Sequence, residues 1–392
     1  MKKRVLLVGF GDSIHVARWV KQIALEPDWE IHLFPVNLDA HIHEDMRRLP
    51  VRVHPLWPGR ITLRLLRRWP LRAGKKWASS VSGSDSPRLL GWLLAFLIHR
   101  LQPDLLHTLE FQHSAYLALT AREFLRRQLP PWAVSNWGSD IYLFGRLPAH
   151  QPRIRQVLEG CDFYLCECRR DLKLAQELGL RGKPMEVLPV GGGFDVESAL
   201  ELRECEKTSQ RRWVLLKGYQ SWAGRSLVGL RALALCAEDL EGYRVGVYRP
   251  GPEVEIAVQL LAQSTGIDIR TLPYVSYAET LRRFGSARIY LGLSISDAIS
   301  QSLLEAMVMG AFPIQSDTSC ANEWVQDGKS ALLVPPEDPG VVAAALRKAL
   351  KDDTLVDQAA EVNLAVAKEK LDHSRIQSHV IAMYRQMLGQ TA

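Results

Sequence analysis

Asp297 and Glu305 stand eight residues apart in a stretch, Ser294 to Ile314, that reads as strand end, Ser-rich turn, short helix, Gly stop and new strand. The Ser/Asp cluster offers N-cap oxygens, and the helix expected from about Ser300 to Met309 presents the unpaired N–H groups of Ser300, Gln301 and Ser302 to an anion before Gly310 ends it. Two carboxylates beside such a terminus suit hydrogen bonding to hydroxyls, so the layout is that of a phosphate or sugar site. The plainer reading, an N-cap followed by a buried amphipathic helix, weakens once Gly310, Pro313, Glu323 and the cations below are added. A hydrolase pair is a third reading. Eight helical residues would separate the acids by roughly 12 Å of rise, beyond the roughly 5 to 9.5 Å of glycosidase pairs.

Further along the same logic, Lys217 and Arg225 lie in Leu216-Lys217-Gly218-Tyr219-Gln220-Ser221-Trp222-Ala223-Gly224-Arg225-Ser226, after an apolar strand, where two fixed cations could face a phosphate. The alternative is a pair of solvated loop cations. Near the start, Gly9-Phe10-Gly11-Asp12-Ser13-Ile14-His15 follows the first strand; Gly11 allows close backbone approach to a phosphate or acceptor, and Asp12 and His15 flank it. His107 and His113 near a strand end read as structural. Gly191-Gly192-Gly193 allows a hinge backbone with positive φ, or is a plain loop. No Asp-x-Asp occurs, so no metal is expected on a diphosphate.

The elements that must position these groups are visible as alternating apolar runs and helical patterns. Val5 to Val8, Ile31 to Phe34, Val51 to Val53, Leu105 to His107, Ala133 to Ser135, Phe163 to Cys166 and Val187 to Leu188 form one series. Trp213 to Leu216, Arg244 to Val247, Ile269 to Leu272, Ile289 to Leu291, Phe312 to Ile314 and Ala331 to Val334 form a second. Such alternation predicts two doubly wound α/β halves with a polar boundary near 195 to 212 and ligands in the cleft outside the carboxyl ends of the strands. A length of 392 and 47% apolar residues suffice for two such cores. The longest apolar run, Leu89 to Ile98, is far short of the roughly 20 residues of a membrane span, and Met1-Lys2-Lys3-Arg4 leads straight into a strand. A cytoplasmic protein is expected. Six cysteines without a Cys-x-x-Cys pair read as free thiols.

Charge is uneven. The net charge is +6, yet residues 47–77 hold ten Lys or Arg and no acid. Arg60, Arg64, Arg67 and Arg68 recur at helical spacing beside Ile61, Leu65 and Trp69, a cationic amphipathic pattern suited to an anionic membrane surface or, more plainly, to a helix with a solvated basic face. No nucleic-acid-binding motif accompanies it. Ser79 to Pro87 reads as a mobile loop.

The stretch from Ser294 to Ile314, with Glu323, resembles the signature of glycosyltransferase family 4, the retaining group 1 glycosyltransferases of GT-B fold. Asp297 replaces the usual first Glu, and Lys217 and Arg225 occupy the family's Arg and Lys positions in swapped order. Ser135-Asn136-Trp137-Gly138-Ser139-Asp140 resembles a His-Gly-x-Asp element with Trp137 in place of His, so the role of that His passes to Asn136, His15 or His107 or is absent, and Asp140 stays an acceptor-side candidate. The resemblance implies two Rossmann-like domains facing a central cleft: residues 1–195 for the acceptor, 196–372 for a nucleotide-sugar donor, and a C-terminal helix, 373–392, crossing back to the first. It implies metal-independent, cofactor-free transfer of a sugar from a nucleotide diphosphate sugar to a saccharide or lipid-linked acceptor, with an α-linkage, in surface polysaccharide or glycolipid assembly. Lys217, Arg225, Asp297 and Glu305 would be catalytic, with the leaving diphosphate on the cations, ribose on Glu305 and the transferred sugar on Asp297; Gly11, Asp12, His15, Asn136, Asp140, Ser300, Gln301, Ser302 and Glu323 would bind substrate. A non-catalytic nucleotide-sugar-binding module and a sugar-nucleotide epimerase are the rival readings. Peripheral attachment at the inner membrane face would follow if residues 47–77 dock on lipid.

Overall fold

The computed structural model describes residues 2–37, 41–54, 86–125 and 129–390. The basic residues 55–77 and most of the Ser79 to Pro87 stretch therefore lie outside the described residues. The chain divides into two compact units, Met1–Gly192 with Gln377–Ala392, and Gly193–Ile376.

Each unit is built on a parallel sheet. The first orders its strands β3-β2-β1-β4-β5-β6-β7, from β1 (Lys3–Gly9), β2 (Trp29–Pro35), β3 (Val51–Val53), β4 (Leu105–Leu109), β5 (Trp132–Asn136), β6 (Phe163–Cys166) and β7 (Lys183–Pro184). The second orders them β10-β9-β8-β11-β12-β13, from β8 (Trp213–Lys217), β9 (Arg244–Tyr248), β10 (Ile269–Leu272), β11 (Ala287–Gly292), β12 (Phe312–Ser316) and β13 (Leu332–Val334). Central strands such as Val5 to Val8 and Leu105 to Leu109 are buried along their length because helices cover both faces, and the first reads as a continuous apolar run. In both sheets the strand order reverses beside the first strand of the unit, at β1/β4 and at β8/β11. Crevices for ligands open outside the carboxyl ends at such points.

The expected strand at Val187 to Leu188 is not one. The seventh strand is Lys183–Pro184, paired with Phe163 and Tyr164. Beyond Pro184 the chain still runs beside β6, with Met185 N–H on Tyr164 O at 2.8 Å and Leu188 N–H on Cys166 O at 3.3 Å, but it does not extend the ladder.

Gly192 and Gly193 both take φ of +74°, and a Cβ on Gly193 would sit 2.5 Å from Leu371 O, so this turn requires glycine. The C-terminal helix, His373–Met387, joins the first unit from Gln377 onward. Its Tyr384 hydroxyl is 2.6 Å from His107 Nδ1 and accepts from Trp19 Nε1 at 2.9 Å, while His107 Nε2 is 2.8 Å from Ser135 Oγ. His107 is fully buried, and that burial depresses its pKa to about 3. It is a neutral structural histidine.

Candidate active site

In the second unit the loop after β8 and the loop after β11 are hydrogen-bonded to each other at the strand reversal. Arg225 N–H donates to Leu293 O at 3.0 Å, and Ile295 N–H to Ala223 O at 2.9 Å. Gly224, between them, bridges to Ser294, and a Cβ there would fall 2.1 Å from Tyr219 O, so only glycine permits the closure. The loop after β12 joins the same assembly: Thr318 Oγ1 donates to Ser294 O, and Cys320 N–H to Ala298 O at 2.7 Å. That second link sits at the start of the short helical turn Cys320–Glu323, which carries the half-buried Glu323.

The helix Gln301–Met309 starts from this assembly with Ser300 at its N-cap and ends at Gly310 in the left-handed region, φ +76°. Ser300 has an extended N-cap backbone and makes no side-chain cap bond. The terminal N–H groups of Gln301 and Ser302 thus face the loops with no side chain capping them. Asp297 is half-buried in the preceding loop, and Glu305 is buried in the second turn. Only Gln301 to Glu305 of the interval between the two acids is helical, so the expected helical rise does not hold them apart. Both carboxylates act on one neighbour: burial, then the Glu305 and Asp297 charges, oppose ionisation of the Tyr290 hydroxyl.

The two cations differ in engagement. Lys217 closes β8 with Nζ 5.8 Å from the Tyr219 ring centroid, and among the described residues it has no ion pair. Arg225 is tied down, with Nε 3.2 Å from Glu337 and one terminal nitrogen donating to the carbonyls of Ser221, Trp222 and Gly224 at 3.3, 3.4 and 2.9 Å. It organises the loop as well as charging it.

A cavity of about 520 Å³, which the sequence did not disclose, lies in the second unit and is lined by Tyr248, Arg249, Tyr274 and Phe284 among others. Tyr248 also feels the Glu305 charge, so cavity and carboxylate adjoin. The available signal was Arg249-Pro250-Gly251 after β9 and Pro273-Tyr274 after β10, where Arg249 sits 5.4 Å over the Tyr274 ring.

The first unit is arranged differently at its carboxyl end. The Gly11 N–H expected to face a ligand donates instead to Asn37 Oδ1 at 2.8 Å. Ser13 caps the next helix, and Asp12 and His15 are exposed. Glu110, after β4, holds φ +85°, a strained conformation for a side chain of its size, and its carboxylate accepts from His113 N–H and Ser114 N–H. That carboxylate also holds the His113 ring at 3.3 Å and raises its pKa. Asp140 is buried and accepts from Trp137 N–H at 2.9 Å and Phe111 N–H at 3.1 Å. Burial and then the Glu110 charge push its carboxyl well above the usual range, and it stitches two loops together rather than facing out. Asn136 is fully buried with Nδ2 on Asp171 at 2.9 Å; its Oδ1 and the Trp137 Nε1 are buried without partners among the described residues.

Residues 245–363 match the family model for glycosyl transferases group 1, and residues 4–165 match that for glycosyl transferase 4-like proteins. No curated protein matches the chain in sequence. Among solved structures, sucrose-phosphate synthase from Thermosynechococcus elongatus is similar at TM-score 0.70 and 15% identity, covering 99% of this chain and 100% of that one. Anabaena HepE in complex with UDP-glucose is similar at TM-score 0.67 and 12% identity, covering 98% and 99%. The α,α-trehalose 6-phosphate synthase from Burkholderia multivorans is similar at TM-score 0.70 and 14% identity, covering 99% and 98%. With one family model falling on each Rossmann-like unit and the GT-B fold shared over the whole length, this chain belongs to the group 1 glycosyltransferases.

Proposed function

We propose that the protein transfers a sugar from a nucleoside diphosphate sugar to an acceptor hydroxyl, with retention and without a metal ion. The observation that supports this most is the joining of the β8 and β11 loops at the strand reversal, directly ahead of a helix N-terminus with no side-chain cap. A departing diphosphate needs positive groups fixed where its charge develops. Lys217 Nζ and the N–H groups of Gln301 and Ser302 supply them, and Arg225 holds the loop after β8 that joins the β11 loop. Glu305 accepts from ribose hydroxyls, Asp297 from the transferred sugar, and the Tyr248–Tyr274 cavity receives the base. That the similar HepE was solved with UDP-glucose supports a UDP sugar.

In the retaining route the bond from the anomeric carbon to the diphosphate oxygen breaks. The acceptor oxygen bonds that carbon on the same face, and its proton passes to the departing phosphate. No nucleophile from the chain is needed, and the product is an α-glycoside. The surroundings we favour are surface polysaccharide or glycolipid assembly, with the basic stretch 47–77 meeting an anionic membrane. Among the described residues no helix is long and apolar enough to cross one.

Incubation with UDP-, GDP- and ADP-sugars and a panel of saccharide and lipid-linked acceptors tests this. Nucleotide release with an α-configured product, persisting in excess chelator, is expected. Binding with no release from any acceptor would indicate a non-catalytic module, and loss in chelator with rescue by Mg²⁺ would overturn the metal-free route. Co-sedimentation with anionic but not neutral vesicles, weakened by salt, checks the membrane partner.

A further inference from the structure

At the carboxyl end of the first sheet, two guanidinium groups share one aromatic ring. Arg146 Cζ lies 3.9 Å from the Tyr142 ring centroid and Arg170 Cζ lies 3.7 Å from it. Since 3.9 Å and 3.7 Å sum to 7.6 Å, the two positive carbons are no farther apart than that. This is within the roughly 8 Å over which physiological salt screens exposed charges. Each cation–π contact is weak at an exposed site. The Asp171 carboxylate offsets part of this repulsion through Arg170, so the charge left for an outside anion is chiefly that of Arg146.

The surroundings fit an anion of a particular kind. Arg170 spends its Nε on Asp171 at 2.9 Å, whereas the Arg146 side chain is exposed and has no hydrogen bond or ion pair among the described residues. Arg170 also stands in the first turn of the helix Arg169–Glu177, whose N-cap Cys168 makes no side-chain cap bond. Two planar forks match a group with several oxygens and close to two negative charges, which describes a phosphate monoester better than a carboxylate. The clamp also connects to the candidate sugar site. Arg170 holds Asp171, Asp171 accepts from Asn136 Nδ2 at 2.9 Å, and the buried Asn136 Oδ1 and Trp137 Nε1 are an acceptor and a donor with no partner among the described residues. The space beside them, about 10 Å³, holds no more than a water.

We propose that the acceptor carries a phosphoryl group, gripped by Arg146 and Arg170 across Tyr142. The proposal rests on the glycosyl-transfer reading above and names its acceptor class. The phosphoryl group could belong to a soluble sugar phosphate or to a lipid-linked phosphate, and the two are separated by the choice of probe.

The test measures binding to the full-length protein of glucose 6-phosphate against glucose, and of neutral vesicles with against those without a polyprenyl phosphate, with UDP affinity measured alongside. At least a tenfold preference for one phosphorylated probe is expected. Arg146→Glu should remove it while leaving UDP affinity and the unfolding midpoint unchanged. Arg170→Ala should do the same at some cost in stability, because Asp171 loses its cation, so the exposed Arg146 gives the decisive variant. Equal binding of phosphorylated and plain probes, or an unchanged preference in Arg146→Glu, would overturn the proposal even where UDP binds normally. Loss of UDP binding in the wild type would count against the donor site in the second unit, a separate failure.

Discussion

The two units share one strand order and diverge at their carboxyl ends. In the second, glycine and backbone hydrogen bonds draw three loops together ahead of a helix N-terminus, and Lys217 is left unpaired among the described residues. In the first, the corresponding loops are closed by side chains: Asn37 takes the Gly11 N–H, Glu110 takes two amides of its own turn, and Asp140 joins the β4 and β5 loops. A doubly wound sheet fixes where a site can be but not what it binds. Backbone donors suit a diphosphate that is the same in every donor, whereas side-chain closure leaves aromatic and charged groups free to select an acceptor.

The largest expected break in this contrast is Lys217→Ala. Removing a preorganised cation that acts like an oxyanion donor should cost about 2.7–4 kcal/mol, a hundredfold or more in turnover. Arg225→Ala should match it, with weaker donor binding as well, since the loop carbonyls of Ser221, Trp222 and Gly224 lose their common donor. Wild-type turnover in both variants would show that the cations are merely solvated. Next, Tyr384→Phe should destabilise the first unit by about 1–3 kcal/mol, because His107 and Trp19 each lose a buried partner. Urea unfolding reads this, and an unchanged midpoint would mean that the C-terminal helix is held by packing alone.

Much of this frame was legible in the sequence because buried parallel strands write themselves as continuous apolar runs. Gly310, Pro313 and the Ser-rich turn likewise announce a helix start and stop locally. What was not legible depends on distant partners. Nothing near Gly11 says that Asn37 will take its N–H, and Arg146 and Arg170 meet on Tyr142 only because β5 and β6 are neighbours in the sheet. The Val187 to Leu188 run misled because apolar content alone does not say where along β6 the edge strand pairs, which is at Lys183 and Pro184.

Two smaller effects sharpen the first unit's side of the comparison. His107 is neutral when folded, with a pKa near 3, whereas the unfolded ring binds a proton near 6.5. Its contribution to stability is therefore fully present above pH 6.5 and is lost progressively as pH falls below it. The urea midpoint should decline over that acid window, and less steeply in His107→Gln. The Glu110 carboxylate raises the His113 pKa, so that stabilisation holds below pH 6.5 and fades as pH rises through the raised value. Glu110→Gln should return the His113 ring titration, followed by NMR, toward its ordinary range; an unmoved titration would show that the pair does not couple.

The central claim, that the carboxyl end of the second sheet is the donor site, is tested most directly by calorimetry with UDP, GDP and ADP alone. The account predicts that one of them binds the wild type, that Lys217→Ala and Glu305→Gln each weaken it at least tenfold, and that Arg146→Glu leaves it unchanged. No binding of any nucleoside diphosphate, or binding as tight in the Lys217 and Glu305 variants as in the wild type, would contradict it.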